Sequence, residues 1–385
     1  MMDPVLVIGS GLAAYTLARE FRKLDRQTPL LLVSRDAADF YSKPMLSNAL
    51  AGKKTALSLV MKSCDKMAAE LNATVLAHSS VDSIDTRAHS ITTAQGQTHR
   101  YRDLVLALGA DATRPPLQGE GAEAVVSVND LNDYAHFSDA LAGAKTVAIL
   151  GAGLIGCEFA NDLLSRGIAP TVVDLAQQPL SRLLPPQASA YLRGRLEAVG
   201  VQFRFDVVAD RVDRSGAGFA IALSDGAILQ ADLVLSAIGL RPRVALAQGC
   251  GIAVNRGVAV DRMLATSVRN VYAIGDCAEV EGLNLPYVLP LMQQARALAA
   301  TLCGTPSAVL YPAMPVVVKT PACPTVVCPP AAGAQGQWSV ESTAEACEAH
   351  YVGSDGTLLG FALLGAATAK RQSLLAQVPA LLAAD

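Results

Sequence analysis

Charge is scarce in this chain. Asp, Glu, Lys and Arg make up 17% of its 385 residues and nearly cancel, leaving a formal net charge of -3. No sequence-wide field therefore draws the chain to nucleic acid or to an anionic membrane surface. Long apolar runs are missing too: Leu30 to Val33 and Leu104 to Leu108 have strand length, well below the roughly 18 residues that a membrane helix needs. The opening Met1-Met2-Asp3-Pro4 has no basic region ahead of a long apolar core, and its apolar run stops at Gly9, too early for a signal peptide. Neither export nor membrane insertion is expected, and the expected location is the cytoplasm. The eight cysteines, at 64, 157, 250, 277, 303, 323, 328 and 347, form no C-x-x-C pair and no zinc spacing, so no metal site is expected. Within Cys323-Pro-Thr-Val-Val-Cys328 the proline and valines imply an extended segment whose ends face opposite sides of a strand, which argues against a disulfide.

What is abundant is apolar residue, 51% of a chain long enough for two or three domains. Pro4 to Ile8 reads as a buried strand, Leu12 to Leu24 as a helix and Leu30 to Val33 as a second strand, one βαβ unit. The same grammar returns in Thr146 to Leu150, Leu154 to Leu164 closed at Gly167, and Pro170 to Val173. Strands ending in glycine recur at Tyr101 to Gly109 and at Leu233 to Gly239, each followed by a proline-bearing crossing segment, Arg114-Pro-Pro and Leu240-Arg-Pro-Arg243. The expected fold is α/β with two Rossmann-like nucleotide-binding domains, the second inserted in the first. Residues 1–113 and 241–313 form one, 114–240 the other, and the Val-, Pro- and Gly-rich residues 314–385 a small α+β C-terminal domain.

Two motifs sit at the strand-to-helix turns. Gly9-Ser10-Gly11-Leu12-Ala13-Ala14 is a G-x-G-x-x-A fingerprint, and Gly151-Ala-Gly153-Leu154-Ile155-Gly156 a complete G-x-G-x-x-G. The first glycine allows the tight turn, the second lets backbone approach a pyrophosphate, and the small third residue lets helix and strand pack closely. Asp174 closes the next strand at about the spacing where a carboxylate accepts hydrogen bonds from an adenosine ribose and repels a further phosphate, which favours NADH over NADPH. In the first unit Ser34-Arg35-Asp36 leaves two readings open for Asp36, a ribose ligand or an exposed loop residue.

With both fingerprints the chain resembles the two-dinucleotide flavoproteins of the glutathione reductase and ferredoxin reductase superfamily, which implies FAD at the first site and NADH at the second. Thr266-Ser-Val-Arg-Asn-Val-Tyr-Ala-Ile-Gly275-Asp276-Cys-Ala-Glu279 resembles that superfamily's late FAD signature, in which the aspartate reaches the ribityl chain. A helix starting near Pro290 and stopped by Gly304 is expected, by the same resemblance, to aim its positive end at the flavin. The segment Phe40-Tyr-Ser-Lys43-Pro44-Met-Leu-Ser47 carries no cysteine, so a thiol mechanism is disfavoured. It is similar to the Tyr-x-Arg-Pro-Pro-Leu-Ser motif of ferredoxin and rubredoxin reductases, with Lys43 for arginine and Met45 for the second proline. Together with Gly-Cys-Glu-Phe-Ala-Asn-Asp and Val-Lys-Thr-Pro-Ala-Cys-Pro, it makes the rubredoxin reductases the family most resembled, over nearly the whole chain.

The resemblance implies an FAD site formed by Gly9, Ser10, Gly11, Leu12, Ala13, Ala14, Ser34, Arg35, Lys43, Val81, Gly109, Glu158, Gly275, Asp276, Val288 and Lys319. The expected NAD site comprises Gly151, Gly153, Leu154, Ile155, Gly156, Asp174 and Gly239. No side chain is expected to act as nucleophile or acid, because the flavin carries the chemistry. Lys43 and Glu158 are expected to form an ion pair near the nicotinamide, with Lys319 stabilising electron-rich flavin or simply ending a strand. Rubredoxin is the implied acceptor, serving alkane hydroxylation or oxygen protection, and its acidity implies a basic docking patch drawing on Lys319, Lys370 and Arg371. A ferredoxin or flavorubredoxin reductase shares every nucleotide motif; an NADH oxidase or peroxidase would need the missing cysteine, and a redox-sensing flavoprotein would bind without fast turnover.

Overall fold

The computed structural model describes residues 2–383. Its first sheet is parallel throughout, in the order Val271–Ala273, Asp103–Leu106, Val5–Ile8, Leu30–Val33, Thr74–Leu76. Val5–Ile8 is buried at all four positions, as a strand covered on both faces must be. The helix Leu12–Leu24 buries Ala14, Tyr15, Leu17, Ala18 and Phe21 in the same core as that sheet and carries Arg22 and Lys23 in its last turn, where cations complement the dipole. Asp25 ends it, accepting from the backbone N–H of Gln27 (2.8 Å) and Thr28 (2.9 Å).

A second parallel sheet runs Gln202–Arg204, Ala169–Val173, Thr146–Leu150, Leu233–Ser236. In both sheets the chain adds strands on one side of the first strand, then crosses to the other side. Just before that crossing strand each unit carries a three-stranded antiparallel meander, Val81–Asp85 with Ser90–Thr93 and Thr98–Arg100 in the first, and Ala209–Ser215 with Gly218–Leu223 and Ile228–Ala231 in the second. The sequence reading passed over these meanders. Their glycine turns at Gly96, Gly216 and Gly226, all at positive φ, were the available signal.

The chain leaves the first unit through Ala110–Ala112 and returns through Leu240–Pro242, and these two segments pair antiparallel. Val271–Ala273 then joins the first sheet beside Asp103–Leu106. The helix Val288–Leu302 packs on Leu12–Leu24. Beyond it lies a five-stranded antiparallel sheet in the order Val316–Val318, Thr325–Cys328, Leu358–Gly365, Ala346–Val352, Gln337–Ser342. Cys328 packs with Phe361 and Leu363, whereas Cys323 packs with Val327, Cys347 and Leu364 in a different core, so the two sulfurs serve opposite faces and all eight cysteines are free. Among the described residues no helix is long and apolar enough to cross a membrane.

One segment departs from its sequence neighbours. Leu46, Ala49, Leu50 and Leu59 follow the first βαβ unit in the chain, yet they pack into the core of the second unit with Phe137, Phe159 and Leu163.

Candidate functional site

Both glycine turns open where strand order reverses, the place at which parallel α/β sheets bind ligands. Gly9 follows Val5–Ile8 at φ +128°, and a Cβ there would lie 2.3 Å from the carbonyl oxygen of Ala107 at the end of the adjacent crossing strand. Gly151 follows Thr146–Leu150 at φ +108°, where a Cβ would lie 2.6 Å from the carbonyl oxygen of Ala237, again at the end of the adjacent crossing strand. The two turns thus have one construction. Gly11 and Gly153 begin their helices, and no side chain caps either. A third helix start without a side-chain cap, at Tyr287, precedes Val288–Leu302.

All three helix starts line one cavity of about 2360 Å³. Ordinary small-molecule sites occupy about 300–1,000 Å³, so this one has room for two dinucleotides. Open helix N-termini with free backbone donors suit pyrophosphates; the residues present therefore fit FAD and NADH. Of the residues expected at the two sites, all line this cavity except Ala14 and Gly156. Ala14 is fully buried, and a Cβ on Gly156 would come within 1.9 Å of the Gly151 carbonyl oxygen. These third positions of the fingerprints serve helix-to-strand packing, so they are corrected from ligand-lining to structural.

The acidic residues after the second strands lock the turns. Asp174 accepts from Ala152 N–H (2.5 Å) and Ala176 N–H (2.7 Å) while lining the cavity. Asp36 Oδ1 accepts from Ser34 Oγ (2.7 Å), Ser10 Oγ (3.1 Å) and Ala38 N–H (2.9 Å). Asp36 is therefore half-buried and tied to the first glycine turn rather than an exposed loop residue. Arg35 is exposed and lies 3.9 Å from Asp111, which also pairs with Arg243 at 2.5 Å. Gly275, at φ +74° against Ala13, donates its N–H to Gln294 Oε1 at 2.6 Å, which fixes the backbone just before Asp276.

The expected Lys43–Glu158 ion pair does not form. Lys43 faces Asp276 instead, Nζ to Oδ2 3.8 Å, and enclosure by the cavity walls pushes its pKa below the ordinary lysine range despite Asp276 opposing the shift. Glu158, 1% exposed, is claimed by three donors: Ser47 Oγ, Lys319 Nζ and the backbone N–H of Lys319 (2.8 Å). The physical reason is topological. Glu158 rides on the helix Leu154–Leu164 between the Lys43–Asn48 turn of the first unit and the end of Val316–Val318 in the C-terminal sheet, and Lys319 reaches it first. Ser47 was missed by the sequence reading; its place four residues after Lys43 in the cysteine-free segment was the only hint.

This arrangement also removes Lys319 from the expected basic docking patch, since its ammonium is turned onto Glu158. Lys370 pairs with Glu348 at 2.5 Å, leaving Arg371, which lines the cavity. Burial pushes every thiol upward, Cys277, Cys328 and Cys347 to about 11, which disfavours the reactive thiolate form.

Two glycine-turn switch points facing a common cavity, without a reactive thiol, define a two-nucleotide oxidoreductase. By residues 3–299 the chain belongs to the pyridine nucleotide-disulphide oxidoreductase family. Residues 308–378 match a rubredoxin binding C-terminal domain. The chain is 47% identical over 382 residues to a rubredoxin-NAD(+) reductase of Alcanivorax borkumensis, covering 99% of this chain and 100% of that one. It is 39% identical to a nitric oxide reductase FlRd-NAD(+) reductase of Aeromonas salmonicida, over 97% and 96% of the two chains. Among solved structures it superposes on a ferredoxin reductase from Rhodopseudomonas palustris with a TM-score of 0.89 at 26% identity, covering 98% and 95% of the two chains. It matches the reductase of a covalent putidaredoxin reductase–putidaredoxin complex with a TM-score of 0.88 at 25% identity, covering 98% and 94%.

Proposed function

We propose that this protein is an FAD-dependent NADH:rubredoxin oxidoreductase. The observation that carries the reading is the pair of glycine turns opening from opposite sheets into one cavity, joined to a C-terminal region that matches a rubredoxin-binding domain. When bound, FAD supplies an acceptor for a hydride that can release its electrons singly.

The chain's own residues do the rest. The Gly9 turn and the Gly275–Asp276 turn hold the first dinucleotide, and the Gly151 turn with Asp174 holds the second and selects NADH. The start of Val288–Leu302 presents about half a positive charge to the cavity and stabilises negative charge developing there. Lys43, kept close to Asp276, and Lys319, held by Glu158, place two ammonium groups on the cavity wall without a net local excess of charge. No side chain has to give or take a proton. Eight free thiols accord with a reducing compartment, and the cytoplasm is the proposed location.

The test is anaerobic reduction of rubredoxin by catalytic amounts of the FAD-loaded protein and NADH, with a ferredoxin in parallel and NADPH as the nucleotide control. Rapid bleaching of rubredoxin with NADH alone is the expected result. Flavin reduction that leaves rubredoxin oxidised would overturn the acceptor assignment and favour a flavorubredoxin-type partner, the reading that the Aeromonas relative's name supports.

A further inference from the structure

The helix Leu154–Leu164 presents Glu158, Asn161 and Asp162 on one face, spaced three and four residues apart. Each engages another part of the molecule. Glu158 holds Ser47 and Lys319, and Asn161 Oδ1 accepts from Ala322 N–H at 3.0 Å. Asp162, 3% exposed, accepts from Leu50 N–H through Oδ2 (2.8 Å) and from Ala51 N–H through Oδ1 (2.9 Å). Further along, Tyr134 of the second unit donates its hydroxyl to the Lys54 carbonyl at 2.9 Å. The excursion that begins at Lys43 is thus gripped at three successive points, and its side chains Leu46 and Leu50 are sunk in the second unit's core.

A buried carboxylate with both oxygens on backbone N–H groups of a distant segment is a costly way to fasten a chain, because burial raises its pKa and the bonds must offset that. Plain apolar packing would fasten the excursion without it. What the two bonds add is register: they fix where Lys43 and Ser47 stand relative to the Gly151 turn that opens the same helix.

We propose that Asp162 is a positioning residue for hydride transfer, setting the Lys43–Ser47 side of the cavity against the second nucleotide turn. The inference rests on the reading of the second site as the NADH site. Asp162→Asn keeps shape and volume but turns one N–H donor toward another, so one bond is lost and the register is released. Tyr134→Phe removes only the Lys54 bond and leaves the ring packed, which makes it the milder companion.

Each FAD-loaded variant is mixed anaerobically with NADH, and separately reduced with dithionite and mixed with oxidised rubredoxin. Asp162→Asn is expected to slow NADH-driven flavin bleaching at saturating NADH by on the order of tenfold, within the roughly hundredfold that a 1 Å misplacement can cost. Tyr134→Phe is expected to shift it less, in the same direction. Electron delivery from the dithionite-reduced variants is expected to match the parent. Amide hydrogen exchange on the parent protein gives a readout independent of turnover: Leu50 and Ala51 are expected to exchange as slowly as the helix Leu154–Leu164, and at least several-fold faster in Asp162→Asn. Equal loss in both half-reactions, an unchanged NADH step, or Leu50 and Ala51 amides that exchange as fast as the loop after them would each overturn the proposal. A parent protein that bleaches rubredoxin after dithionite but is not reduced by NADH would instead sink the NADH reading, leaving the exchange result to judge the clasp.

Discussion

Removing either end of the Glu158–Lys319 pair should not cost the same. Glu158 is 1% exposed whereas the Lys319 side chain is 29% exposed. In Glu158→Gln the lysine can swing into water, and the amide oxygen can still take the Lys319 backbone N–H. The loss is then one charge-assisted contact, about 1.5–3 kcal/mol. In Lys319→Met the carboxylate stays in place without its cation, and an uncompensated buried charge costs about 3–5 kcal/mol. Unfolding entropy of about 2.1 cal/mol/K per residue over 385 residues makes roughly 0.8 kcal/mol equal to one degree if the chain melts as a unit. The melting temperature should therefore fall by about 2–4 °C in Glu158→Gln and about 4–6 °C in Lys319→Met. The double variant, with neither charge left, should be more stable than Lys319→Met alone, because no ion remains stranded. Thermal unfolding followed by circular dichroism on the FAD-loaded proteins measures all three. A Lys319→Met protein no less stable than Glu158→Gln, or a double variant that sums the two losses, would refute the asymmetry.

Other consequences are as direct. A Cβ at Gly9 or Gly151 collides with the neighbouring strand's carbonyl at positive φ, a strain of about 1–3 kcal/mol that the turn must relieve by opening. Gly9→Ala should lose FAD on dialysis, while Gly151→Ala should keep FAD and raise KM for NADH by about 5- to 100-fold; flavin absorbance and steady-state kinetics separate the two. Asp174→Ala should narrow the preference for NADH over NADPH, since it removes the charge that repels a ribose phosphate, and an unchanged kcat/KM ratio for the two nucleotides would contradict that role. The Asp25 carboxyl is held down at about 2, chiefly by its Thr28 hydrogen bonds. Its contribution to stability is present above the ordinary aspartate range near 3.8 and is lost as pH falls through about 2, so the stability gap between the parent and Asp25→Asn should close over that window.

The parts of the fold that were legible in the sequence are those that neighbours along the chain decide. The helices Leu12–Leu24 and Leu154–Leu164 run between the same residues in the structure as in the sequence reading, because a glycine turn starts each and local pattern ends it. The strands Val5–Ile8 and Thr146–Leu150 were equally plain from their apolar runs. The meanders were hidden because Val81–Asp85 and Thr98–Arg100 are mostly polar and exposed, with no alternation strong enough to show against loops. The Glu158 partners were misread for a different reason: the expected Lys43 and the actual partners Ser47 and Lys319 all come from segments more than a hundred residues away, and which of them arrive depends on how the units pack. Lys319 was read from the family resemblance as a flavin-site residue, with docking or a plain strand end as its other readings, and only the fold shows it committed to a buried carboxylate.

The repeated unit explains why one cavity, rather than two separate sites, is the outcome. A parallel sheet places its ligand beyond the carboxyl ends of its strands, at the reversal of strand order. Here the first sheet's reversal lies between Val5–Ile8 and Asp103–Leu106, and the second's between Thr146–Leu150 and Leu233–Ser236. The paired crossing segments Ala110–Ala112 and Leu240–Pro242 leave from those two reversals, directly after Gly109 and Gly239. Joining the units by strands that start at each binding edge obliges the edges to face one another. The two sites then share walls, and residues such as Glu158 and Lys43, born in different units, line the same cavity. Separating the crossing strands, for instance by Arg241→Pro, which removes the backbone donor that faces Asp111 in the pair, should leave each nucleotide bound but slow the step between them, as stopped-flow bleaching of the flavin by NADH would show.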